Sequence, residues 1–157
     1  MGKTLVAYFS ASGNTAKIAE KLASELSADI FEIKAKEPYT KADLTWTNPL
    51  ARCNREWLGK KEVAAEGAVE NMDEYDTVFL GFPIWYNVMP NVVSSFVKDY
   101  DWSGKKVALF ATSGGSGVSK AADRMRQLLK GSPNIVDAKL FPASVDEESI
   151  RAWAEGI

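Results

Sequence analysis

Histidine is absent from the chain. That excludes imidazole acid–base catalysis, triads built on histidine and metal sites with a histidine ligand. The single cysteine, Cys53, excludes a disulfide framework and a cysteine zinc site. There is no excess of basic charge either. Nineteen Lys and Arg against 21 Asp and Glu leave a net charge of −2, which counts against nucleic acid as a partner. No apolar run reaches membrane-spanning length, and the first residues lack the pattern of a secretion signal. No membrane association and a cytoplasmic location are therefore expected. If the protein does chemistry, a cofactor is expected to carry it.

What is present suits one globular domain over residues 1–157, with 46% apolar and 25% charged residues. Thr4 to Phe9 is an apolar, β-favouring run long enough for a buried strand. Ile18, Leu22 and Leu26 then recur at the spacing of an amphipathic helix running to about Ser27. Asp29 to Lys34 alternates apolar and polar residues and carries charges, as befits a sheet edge. Thr77 to Phe82 is continuously apolar, a central strand buried on both faces. A helix is signalled after Pro90 by Val92, Val93, Phe96 and Val97, and a fourth strand by Val107 to Ala111. Val118, Ala121, Ala122, Met125, Leu128 and Leu129 mark one face of the next helix, which ends near Gly131. A fifth strand from about Ile135 to Phe141 and a last helix from Asp146 follow.

Residues 35–72 are the least regular. Asn48-Pro49 reads as a helix start, with Leu50, Cys53 and Trp57 on one stripe of a short helix closing near Gly59. Cys53 on that stripe is expected as a packed thiol, and Arg52 and Arg55 as a solvated face. Lys60 to Val69 receives no assignment. Five strands alternating with helices argue for an α/β fold with a doubly wound five-stranded parallel sheet, a three-layer sandwich.

Three loops at strand ends are chemically distinctive. Ser10-Ala11-Ser12-Gly13-Asn14-Thr15 places hydroxyls and backbone N–H groups at a helix N-terminus, where an anion such as a phosphate monoester is favoured. The plain alternative is an ordinary turn in which Asn14 or Thr15 caps the helix. Pro83-Ile84-Trp85-Tyr86-Asn87, running on to Pro90, sets two adjacent aromatics at a strand end and offers flat faces for stacking. Thr112-Ser113-Gly114-Gly115, continued by Ser116 and Gly117, offers amides for ring oxygens and nitrogens. Ligands of open parallel sheets bind outside the carboxyl ends of the strands, where the strand order reverses. In the order 2-1-3-4-5 the three strands bearing these loops are neighbours. One planar heterocycle with a single phosphate at its far end would touch all three.

On these residues the sequence resembles the flavodoxin family. Ser10 to Thr15 is similar to its phosphate loop, Gly81 to Tyr86 with Pro90 to the aromatic flavin loop of a subgroup, and Phe110 to Gly117 to that subgroup's third loop. The resemblance spans nearly the whole chain. It implies bound FMN, the 2-1-3-4-5 sheet and one-electron transfer between redox protein partners. By the same resemblance Ser10, Ser12, Asn14 and Thr15 hold the phosphate, Trp85 and Tyr86 flank the isoalloxazine, and Thr112 to Gly115 meet its pyrimidine edge. Asn87 stands where the subgroup often has glycine, at a loop whose peptide turns toward flavin N5 on reduction. Asn tolerates positive φ better than most residues. None of the three loops carries a charged residue, which implies a less extreme potential than that of strongly acidic carriers. A monomer or weak dimer is expected.

A second reading is an FMN-dependent NAD(P)H reductase of quinones or other small acceptors. It uses the same loops, with Tyr86 and Ser113 available to protonation and Trp46 to a substrate pocket. Other classes of this architecture lack their residues. A phospho-receiver needs acidic groups where Ser10 and Gly81-Phe82-Pro83 stand, and a phosphotyrosine phosphatase needs an arginine where Gly59 follows Cys53. A Walker A loop is missing, and Lys120 breaks a dinucleotide fingerprint at Gly115-Ser116-Gly117.

Overall fold

Sheet pairing organises the chain, which a computed structural model describes over residues 3–10, 13–35, 65–69, 71–84, 89–112, 117–142 and 144–157. In chain order the strands are β1 (Lys3–Tyr8), β2 (Asp29–Glu32), β3 (Lys34–Ala35), β4 (Ala65–Glu66), β5 (Tyr75–Pro83), β6 (Lys106–Thr112) and β7 (Asn134–Leu140). The helices are α1 (Asn14–Leu26), α2 (Asn91–Lys98), α3 (Ser119–Leu128) and α4 (Glu147–Glu155). Five strands form one parallel sheet in the order β2-β1-β5-β6-β7. The expected numbering 2-1-3-4-5 allowed for sheet strands alone. A short antiparallel ribbon of β3 and β4, absent from that expectation, takes the third and fourth numbers.

Side-chain alternation along the strands builds two cores, one on each face. Leu5, Ala7, Val78, Leu80, Phe82, Val107, Leu109 and Ala111 face α2 and α3, which bury Val92, Val93, Phe96, Val97, Ala121, Ala122 and Met125 against them. Val6, Tyr8, Phe79, Ala108 and Phe110 face α1 and α4, which bury Ile18, Ala19, Leu22, Ala23, Ile150 and Ala154. The continuous apolar run of β5 follows from this arrangement, since both of its faces are covered. Edge strands β2 and β7 stay largely exposed.

Among the described residues, the expected elements lie where periodicity put them, with shifted ends. Strand β2 stops at Glu32 rather than Lys34. Ile33 turns inward, fully buried, with its N–H donating to Tyr8 O at 2.6 Å, and the chain leaves as β3. The helix expected after Asn48-Pro49, with Cys53, Arg52, Arg55 and Trp46, lies outside the described residues.

Candidate functional site

The carboxyl ends of β1, β5 and β6 are tied together by backbone geometry. Tyr8 pairs with Gly81 and Pro83 with Thr112. Just beyond the last paired residues, Phe9 N–H donates to Gly81 O at 2.9 Å and Ile84 N–H to Thr112 O at 2.8 Å. The roots of the three distinctive loops are therefore held in register by the sheet itself.

The first loop enters α1 through Gly13, at φ 93° and ψ −11°, a left-handed conformation that glycine adopts without strain. Gly13 is the N-cap and has no side chain to offer, so no side-chain cap occupies the mouth of α1. The first N–H groups of a helix have no acceptor within it. Among the described residues, a Cβ built on Gly13 would meet nothing within 4 Å. Ser10 Oγ accepts from Gly13 N–H at 3.0 Å, which folds the loop back and leaves the Ser10 proton for another acceptor. Asn14 is exposed at the first position of α1. This donor set fits a phosphate monoester without needing a basic side chain.

Thr15 behaves differently. It is buried, and its Oγ1 lies 2.8 Å from Oγ1 of Thr112, the last residue of β6. The two hydroxyls join the first loop to the third across the end of β5, which lies between β1 and β6 in the sheet. Residue type and spacing gave no sign of this link, because 97 positions separate the two threonines. Pro83 and Ile84 open the second loop half-buried, and Ile84 packs on the core shared with α2. Ala11, Ser12, Trp85, Tyr86, Asn87, Ser113, Gly114 and Gly115 fall outside the described residues.

Burial raises the Tyr8 phenol above its ordinary value, and the charges of Glu32 and Glu20 act in the same direction, so it stays neutral at physiological pH. Among the described residues no cluster of His, Cys, Asp or Glu could hold a metal ion, and no helix is long and apolar enough to cross a membrane. A cavity of about 460 Å³ beside Leu5, Asp29, Phe31 and Tyr75 sits toward the other end of the strands, where Tyr75 donates to Asp29 Oδ2 at 2.7 Å.

A five-stranded doubly wound parallel sheet whose distinctive loops follow the carboxyl ends of adjacent strands is an architecture that binds ligands at that edge. The family model described as Flavodoxin matches residues 3–157, and the chain belongs to the flavodoxin family. Among solved structures it is similar to a candidate flavoprotein from Bacteroides eggerthii, at 39% identity over 100% of this chain and 98% of that one, with a TM-score of 0.90. It is also similar to a flavoprotein from Lactobacillus acidophilus solved in complex with FMN, at 25% identity, coverage of 98% and 99%, and a TM-score of 0.70. The oxidised flavodoxin 1 of Bacillus cereus shares the fold, at 15% identity, coverage of 98% and 95%, and a TM-score of 0.60. Comparison with the curated proteins finds no match.

Proposed function

We propose that the protein binds FMN across the carboxyl ends of β1, β5 and β6 and carries electrons between redox partners. The observation that carries this reading is the convergence of the three loop roots around an uncapped α1 mouth. Family membership and the FMN complex of the Lactobacillus acidophilus flavoprotein support the choice of flavin. In this reading Ser10, Ala11, Ser12, Gly13, Asn14 and Thr15 form the phosphate end. Pro83, Ile84, Trp85, Tyr86 and Asn87 form the stacking side, and Ser113, Gly114 and Gly115, launched from Thr112 at the end of β6, the pyrimidine edge.

The bound flavin would supply one- and two-electron chemistry. The chain's own residues bind and orient it. Backbone amides and neutral hydroxyls neutralise the phosphate, the aromatic pair excludes water from the ring, and uncharged loops leave its reduced anionic form unrepelled. Stepwise anaerobic photoreduction followed by absorbance tests the carrier role. Accumulation of well over half of the flavin at the one-electron level is the expected result. Direct passage to the two-electron level, with NAD(P)H-driven turnover of quinones, would replace the carrier with a reductase.

A further inference from the structure

Two hydroxyls meeting in a protein interior need an account. Thr15 and Thr112 are 1% and 7% exposed. Either hydroxyl alone at that depth would be a desolvated polar group without a partner, a destabilising arrangement. Paired at 2.8 Å they satisfy one another, and either oxygen can be the donor. The direction in which Thr112 points follows from strand alternation. Ala108 and Phe110 face α1, Ala111 faces α2, and Thr112 returns to the α1 side. Its hydroxyl is thus directed into the protein at the first turn of α1, not outward at the end of the sheet.

A hydroxyl has one proton and two lone pairs. In this pair one threonine donates and the other keeps its proton for a third group. An anion at the mouth of α1 attracts the proton of Thr15, the second residue of that helix, because hydrogen bonds to a charged acceptor are stronger than neutral ones. Thr15 can then accept from Thr112, and the chain from Thr112 through Thr15 to the anion is mutually polarised. Without Thr112, the Thr15 hydroxyl loses its buried partner and is free to rotate away from the anion.

We propose that Thr112 is a positioning residue for the phosphate end of the ligand: although it belongs to the loop at the ring edge, it sets the preference for a phosphorylated flavin by holding Thr15. The proposal rests on the FMN reading above. No bond is made or broken, and only the orientation of two hydroxyl protons changes.

The test compares dissociation constants for FMN and riboflavin, by flavin fluorescence, in apo-protein of the wild type, Thr112→Val, Thr112→Ser, Thr15→Val and the double valine variant. Thermal unfolding of each apo-protein is followed alongside. Thr112→Val is expected to weaken FMN about fivefold, the worth of one neutral hydrogen bond, and to leave riboflavin within about twofold. Thr112→Ser is expected to restore FMN binding. The double variant is expected to bind FMN no more weakly than Thr15→Val alone, since the two act as one unit. Equal weakening of FMN and riboflavin by Thr112→Val would overturn the proposal and put Thr112 at the ring. An unchanged FMN constant would overturn it too. Should Thr112→Val fail to fold, Thr112→Ala decides: it must lower FMN affinity and spare riboflavin. A folded wild type that binds neither flavin removes the FMN reading itself, and the proposal with it.

Discussion

The ring of Phe110, on β6, lies against the bare Cα of Gly81, on β5. A Cβ built on Gly81 would overlap that ring, so the close approach requires glycine at a φ that any residue could adopt. Gly81 also pairs with Tyr8 and accepts from Phe9 N–H at 2.9 Å, which places this contact at the root of the first two loops.

Gly81→Ala is therefore expected to destabilise the fold by about 1 to 3 kcal/mol, the range for overpacking a dense core. It should also weaken ligand binding, since the strand end that launches the aromatic loop must shift. Adding Phe110→Leu should recover part of the stability. Chemical denaturation of the single and double variants measures both effects, and an additive result would count against the contact.

Lys105 is buried just before β6, and its Nζ donates to Met72 O at 2.8 Å and to Tyr75 O at 2.5 Å. It fastens the turn that leads into β5, at the end of the sheet opposite the loops. Lys105→Met fills the same space but leaves two carbonyls without that donor. A loss of about 1 to 3 kcal/mol is expected. Flavin affinity should not change, and a titration beside the unfolding curve separates the two ends of the molecule.

Asp146 caps α4, its Oδ1 accepting Ser149 N–H at 2.7 Å. The Ser149 side chain and backbone hold the carboxyl below the ordinary aspartate value of 3.8. Because the folded value is the lower one, the cap's contribution is present above the unfolded aspartate range and is lost as pH falls through the folded value. Asp146→Ala should lower the melting temperature at neutral pH. Its gap from the wild type should close on acidification below about 3.8. A constant gap across that window would argue against the cap.

Much of this fold is legible in the residues because its elements have distinct periods. The 3.6-residue pattern of Ile18 and Leu22, and of Val92, Val93, Phe96 and Val97, corresponds to the buried faces of α1 and α2. The unbroken run at Thr77 to Phe82 corresponds to a strand covered on both faces. The β3–β4 ribbon was not legible, since two-residue strands span a single alternation and show no period. The pairing of Thr15 with Thr112 was equally hidden. Both threonines stand in polar loop motifs, and only the register of β1, β5 and β6 shows that they meet.

Titration of FMN with purified apo-protein, followed by flavin fluorescence and by the melting temperature, tests the central claim most directly. Saturable one-to-one quenching is predicted, with a melting temperature that rises with FMN concentration as ligand linkage requires. Unquenched fluorescence and an unmoved melting temperature, from a protein shown to be folded, would contradict the assignment of the β1, β5 and β6 ends as a flavin site.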